Sequence, residues 1–251
     1  MARFKELKTL LYRRMKFRIL RPSPPPFAGS INGPVVVLGS APTSHKPAGM
    51  DSSYALFTVN ASQFNAKDWG RDEPDVTFMM FHQIEGTTTN AREVRRVLSG
   101  RRTKALYVLL WRHDKVAQLR HGLAAFDYGY DRLITVDRYQ RMALMDKVAG
   151  MPSWELDADS KCSNGINAVL FALYHGASAV IITGINPGSM GHSYNSAGLK
   201  RMHVDMDRQV LVRLIQQGWP IYTADPEVSA NVGIPLWDAN FDGNQVSDPP
   251  A

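Results

Sequence analysis

One cysteine, Cys162, stands among the 251 residues. A single thiol builds no disulfide within the chain and no cysteine-rich zinc site, and it points to a reducing compartment. Long apolar runs are missing too: none reaches the about 18 residues that cross a bilayer. The seven histidines show no H-E-x-x-H spacing, and there is no G-x-S-x-G elbow. Walker A and G-x-G-x-x-G strings are likewise absent, which leaves metalloprotease, serine-hydrolase and P-loop chemistry without a signature.

Charge is scarce outside one segment. Residues 1–21 carry eight basic side chains against Glu6, so this arm holds +7 of a net charge of +6 and the remainder is −1. Basic residues break every apolar run in the arm, so it does not read as a secretory signal. Phe4, Leu7, Leu11, Met15 and Ile19 recur at helical spacing, which predicts a basic amphipathic helix. Such a helix can lie on an anionic membrane surface. It can equally pack on its own body or on a second subunit, so homo-oligomerisation stays open. The body shows no basic face or aromatic-basic motif, and nucleic acid is not an expected partner.

Pro22-Ser-Pro-Pro-Pro26 ends the arm as a stiff spacer. The chain then divides into residues 1–26, a body over 33–238, and a polar tail, 239–251, expected to be disordered. Within the body, strands and helices alternate. Strands are predicted at 35–38, 54–59, 76–81, 104–110, 133–136, 179–183 and 220–223. Helices are predicted at 89–98, 113–123, 138–148, 163–174 and 203–217. Continuous apolar strands between helices predict a single α/β domain, a Rossmann-like, doubly wound and mostly parallel sheet. Its ligand site belongs beyond the carboxyl ends of the strands.

That rule selects four loops. Gly39 and Ser40 follow the first strand, where a small residue lets backbone approach a ligand; a plain strand-to-helix turn explains them about as well. Asn60 ends the second, as a strand stop or as a reader of a ribose or base. Ser163, Asn164 and Gly165 open a helix, whose amides suit a phosphate; a plain serine cap explains them equally well. The long stretch from Gly188 to His203 carries His192 and Tyr194 as donors to an oxyanion. His203 starts a helix with Asp207 one turn on, an arrangement for a general base or for a surface His–Asp pair. Long loops in compact domains favour function. Asp157 with Asp159 forms the better of two D-x-D strings for a metal, and Cys162 reads as a structural residue.

The order of these segments resembles the bacterial sialyltransferases of glycosyltransferase family 42, over about residues 34–237. Val35 to Ser44 is similar to the family's first strand and G-N-G-P-S loop, and Phe57 to Asn60 to its strand ending in a nucleotide-contacting Asn. Cys162 to Gly165 with Ala179 to Ile185 resembles its T-S-G, helix, strand and G-I-D segment. Gly191 to Tyr194 resembles its S-S-Y loop, and Trp219 to Pro226 its last strand. Ser40, Asn164, Ala61, Gly188 and Met80 depart from the pattern around the donor.

The resemblance implies an inverting glycosyltransferase that transfers sialic acid or a related ulosonic acid from a CMP-sugar to a glycan or glycolipid. It implies no cofactor and no obligatory metal. His203 would be the base and Tyr194 the phosphate contact. Gly39, Ser40, Asn60, Ser163, Asn164, Gly165 and His192 would hold the donor. The location expected is cytoplasmic, peripheral on the inner face of the cytoplasmic membrane. Two alternatives remain: an ATP-dependent pterin-type pyrophosphokinase, and a non-catalytic nucleotide-sugar-binding protein.

Overall fold

The computed structural model describes residues 2–27, 29–109, 112–157, 159–189, 191, 193–194 and 202–238. His192 and the tail 239–251 therefore lie outside the described residues. Helix α1 (Ala2–Leu20) precedes strands β1 (Pro34–Leu38) and β2 (Ala55–Val59). Short helix α2 (Gln63–Ala66), strand β3 (Val76–Met80) and helices α3 (Phe81–Glu85) and α4 (Thr89–Leu98) follow. Then come β4 (Arg102–Leu109), α5 (Val116–Ala125), β5 (Gly129–Val136), α6 (Arg138–Ala149) and α7 (Asn164–Tyr174). Strand β6 (Ala179–Thr183), helix α8 (Val204–Gln216), strand β7 (Ile221–Thr223) and helix α9 (Pro226–Val232) complete the fold.

All seven strands pair in parallel, in the order β5-β4-β3-β2-β1-β6-β7. The central strands are the continuous apolar runs of the sequence: Val35 to Leu38 and the five residues of β6 are fully or almost fully buried. Helices cover both faces, which is why no polar alternation is needed there. Helix α7 is buried from Gly165 to Leu173 and apolar there apart from Asn167, under β1, β2 and β3. Its Phe171 ring lies 4.9 Å from Tyr107 and 5.2 Å from Phe78. Such aromatic pairs add about 1 kcal/mol each beyond their buried area. On the other face Leu98, Leu119 and Leu123 from α4 and α5 pack over Leu106 and Val108.

Strand β5 starts four residues earlier than the apolar run suggests, because Gly129 to Arg132 pair with Arg102 to Ala105 at a charged sheet edge. Helices α2, α3 and α9 have seven residues or fewer, too short to display a period. The proline segment is more than a spacer. Pro24 and Pro25 are buried, Tyr107 Oη donates to Pro26 O at 2.8 Å, and Phe27 sits 5.6 Å from the Phe171 ring. Helix α1 docks on the body, but not through the stripe read from the sequence: Phe4, Leu7, Leu11, Met15 and Ile19 are all exposed.

Candidate active site

Strand order reverses between β1 and β6: β2 to β5 extend to one side of β1, β6 and β7 to the other. At such a switch point the loops leaving the two strands part, and a crevice opens. Here they part only after close contact. Gly39 N donates to Thr183 O and Ala41 N to Gly184 O, both at 2.8 Å. A Cβ on Gly39 would stand 2.3 Å from Gly184 O, so the absence of a side chain permits this backbone approach. Asp225, buried just after β7, fixes the same corner. Its carboxylate accepts from Gly184 N at 2.7 Å and Thr183 Oγ1 at 3.0 Å, and lies 2.9 Å from His45 Nδ1.

A cavity of about 500 Å³ lies beyond these strand ends. Gly39 and Ser40 line it from β1, and Asn60 from β2. Ser163, Asn164 and Gly165 line it from the start of α7, and Tyr194 and His203 from the stretch after β6. Every described donor-binding and catalytic candidate from the sequence thus faces one cavity.

Asn60 has a left-handed backbone (φ 51), which Asn tolerates better than most residues. Its Oδ1 accepts from Met80 N at 3.3 Å and from Asn164 Nδ2 at 3.2 Å, so an amide bridge joins the end of β2 to α7. Ser163 caps α7, its Oγ accepting from Ile166 N. The amides of Asn164 and Gly165 in the first turn have no acceptor within the helix and carry the positive end of its dipole.

His203 occupies the position before α8 with φ 73, again left-handed. Asp207, one turn on, is buried; its N–H donates to His203 O at 2.9 Å and its Oδ1 accepts from Ser163 N at 2.7 Å. The carboxylate therefore ties the start of α8 to the start of α7. Tyr194 is buried in the wall, and its neighbour Ser193 donates from N to Ser40 O at 3.0 Å.

Five further polar residues of the lining escaped the sequence reading: Arg141, Lys161, His82, Gln83 and Asn90. Arg141 is buried, paired at 3.0 Å with the buried Glu155 carboxylate. Burial, with the nearby arginines, holds the Lys161 ammonium below its ordinary pKa, against the pull of Glu155. Two basic side chains, one of them ion-paired to Glu155, thus stand near the start of α7, where the Asp207 carboxylate already accepts from Ser163 N. Burial lowers the His82 pKa as well. The Cys162 thiol is pushed up to about 12 by burial, which fits a structural residue rather than a nucleophile. Asp157 sits outside the cavity in an exposed turn, its Oδ1 accepting from Ser160 N at 2.8 Å. Among the described residues no three His, Cys, Asp or Glu side chains gather as a metal site.

Fold and cleft define a doubly wound α/β protein with a crevice at its switch point. No protein-family model and no curated protein matches the sequence. Among solved structures, the monofunctional α-2,3-sialyltransferase Cst-I from Campylobacter jejuni shares the fold, with a TM-score of 0.57 at 14% identity. That match covers 88% of this chain and 87% of the other. The sialyltransferase CstII from the same organism, in complex with cytidine 5'-monophosphate, matches with a TM-score of 0.56 at 14% identity, over 85% and 90% of the two chains. CstII with a trisaccharide acceptor and CMP matches over 83% and 89%, with a TM-score of 0.55 at 14% identity. At this identity the likeness establishes the fold.

Proposed function

We propose that this protein is an inverting glycosyltransferase that moves sialic acid, or a related ulosonic acid, from a CMP-sugar to a glycan or glycolipid. The observation that carries the reading is the convergence of Gly39, Ser40, Asn60, Ser163 to Gly165, Tyr194 and His203 on one cavity beside Arg141 and Lys161. The CMP and trisaccharide found with CstII support the donor and acceptor classes. The acceptor would be a cell-surface polysaccharide or its lipid-linked precursor, met at the inner face of the cytoplasmic membrane.

In the reaction an acceptor hydroxyl attacks the anomeric carbon, forming the new C–O bond with inversion. The bond from that carbon to the CMP phosphate oxygen breaks, and its electron pair leaves with CMP. His203 takes the acceptor proton; it already lines the cavity at the head of α8. Lys161, Arg141 and the first amides of α7 face the charge gathering on the phosphate, with Tyr194 as a further contact. On this reading Lys161, Arg141 and the α7 amides stand in for a metal at the leaving monophosphate.

Thermal shift with CMP, CDP, UDP and ATP, each with and without Mg²⁺, tests the donor class. CMP is expected to stabilise the chain equally with and without Mg²⁺. Stabilisation by ATP and Mg²⁺ alone would instead support a pyrophosphokinase. With CMP-sialic acid as donor, His203→Ala is expected to keep the CMP shift and lose transfer by about 10²–10⁴-fold. Unimpaired transfer by that variant removes His203 as the base. CMP binding with no turnover on any glycan would make the chain a binding protein.

A further inference from the structure

Helix α1 turns one side to the body and the opposite side to solvent. Arg13 donates to the carbonyls of Trp154, at 2.8 Å, and Glu155. Phe17 meets the Trp154 ring edge-on at 5.8 Å, and the Lys16 ammonium lies 5.1 Å from the centre of the Tyr139 ring. At about 100° per residue, Arg13 and Phe17 lie on the face opposite Phe4, Leu7, Leu11, Met15 and Ile19. Those five residues are 51–75% exposed. Arg13 and Phe17 thus hold the body, and an apolar stripe interrupted by Lys8 and Arg18 is left outside.

Two kinds of occupant can cover such a stripe, a second copy of α1 or a lipid surface. The cations decide between them. Exposed Lys5, Lys8, Arg14 and Arg18 flank or interrupt the stripe, within an arm of net charge +7. A second α1 would bring like charges face to face, which opposes pairing. Anionic headgroups offer those cations partners, and their long aliphatic stems let the charged ends reach the headgroups while the stripe is buried. Among the described residues no helix is long and apolar enough to cross a membrane, so the helix would lie in the surface.

We infer that α1 is a membrane-surface helix. Its stripe from Phe4 to Ile19 enters the headgroup boundary of an anionic bilayer, while Arg13, Lys16 and Phe17 keep the catalytic body attached to its other side. The inference rests on α1 alone and stands whatever the cavity transfers.

The test is sedimentation of the full-length chain with vesicles of phosphatidylcholine alone or mixed with phosphatidylglycerol. The chain is expected to bind the mixed vesicles, to bind phosphatidylcholine weakly, and to be released by salt. Leu7→Ser/Leu11→Ser/Met15→Ser is expected to lower partitioning more than about tenfold. Lys5→Gln/Lys8→Gln/Arg14→Gln/Arg18→Gln should do the same while leaving the apolar stripe in place. Thermal shift with CMP, read on the same samples, reports the fold and the cavity separately and should not change. The inference fails if the wild-type chain stays in the supernatant with anionic vesicles, or if the serine variant binds like wild type. It also fails if the chain is a dimer that the serine variant splits, with no vesicle binding.

Discussion

At Gly39 a single hydrogen atom decides how near two loops come. A methyl group there would stand 2.3 Å from Gly184 O and 2.5 Å from Ile185 Cγ1, and the first of these is backbone that cannot swing away. Gly39→Ala must therefore part β1 from β6 at the corner of the cavity. We expect a loss of about 2–3 kcal/mol, a fall in Tm of about 5–10 °C, together with weaker CMP binding. Gly188→Ala is the control: among the described residues its Cβ would meet only Asn186 Oδ1, at 3.3 Å, so its stability should stay within about 0.5 kcal/mol of wild type. Equal melting temperatures for the two variants would show that the close approach carries no cost. The sequence marked Gly39 as a place of close approach, and the structure shows one partner in that approach, the Gly184 loop. A glycine after a strand shows that something approaches; only the sheet order shows that it is the neighbouring loop.

Elements are legible where their own residues define them. The apolar runs of β1 and β6, the cap Thr88 before α4 and the Asp137–Gln140 capping box of α6 all lie within a few residues of the feature they create. The loop residues of the cavity were legible for the same reason, since each follows a visible strand or opens a visible helix. Arg141 and Lys161 were not. Arg141 sits on α6, and it joins the cavity only because α6 packs on α7, a relation with no trace in local spacing. Phe27 is similar: its place among Phe57, Phe171 and His175 is tertiary, and the preceding prolines read simply as spacer. Phe27→Ala should cost about 2–3 kcal/mol of stability, measured by urea unfolding, because a half-buried ring is lost from an aromatic cluster. An unchanged midpoint would return the segment to the role of a loose linker.

Over the whole molecule, burial sets the pH range in which the fold is most stable. His82 and His175 have pKa values below the ordinary 6.5, mainly because burial disfavours their charged forms. The unfolded chain gains protons there before the fold does, so their contribution is full above about pH 6.5 and declines as pH falls below it. On the alkaline side the Cys162 thiol, ordinarily 9.0, is pushed up to about 12, and the Tyr128 phenol is raised from 10.0, both chiefly by burial. Each contributes fully below its unfolded value, and that contribution is lost as the pH rises toward the folded one. Stability should therefore form a plateau between about pH 7 and about pH 9, falling on both sides. Urea midpoints measured from about pH 5 to about pH 11 check this. Cys162→Ala should move the onset of the alkaline fall from near pH 9 toward the ordinary tyrosine value near 10, because Tyr128 then titrates first. A profile that stays flat through pH 11 would mean that neither group is shielded as the packing around α7 and β3 requires.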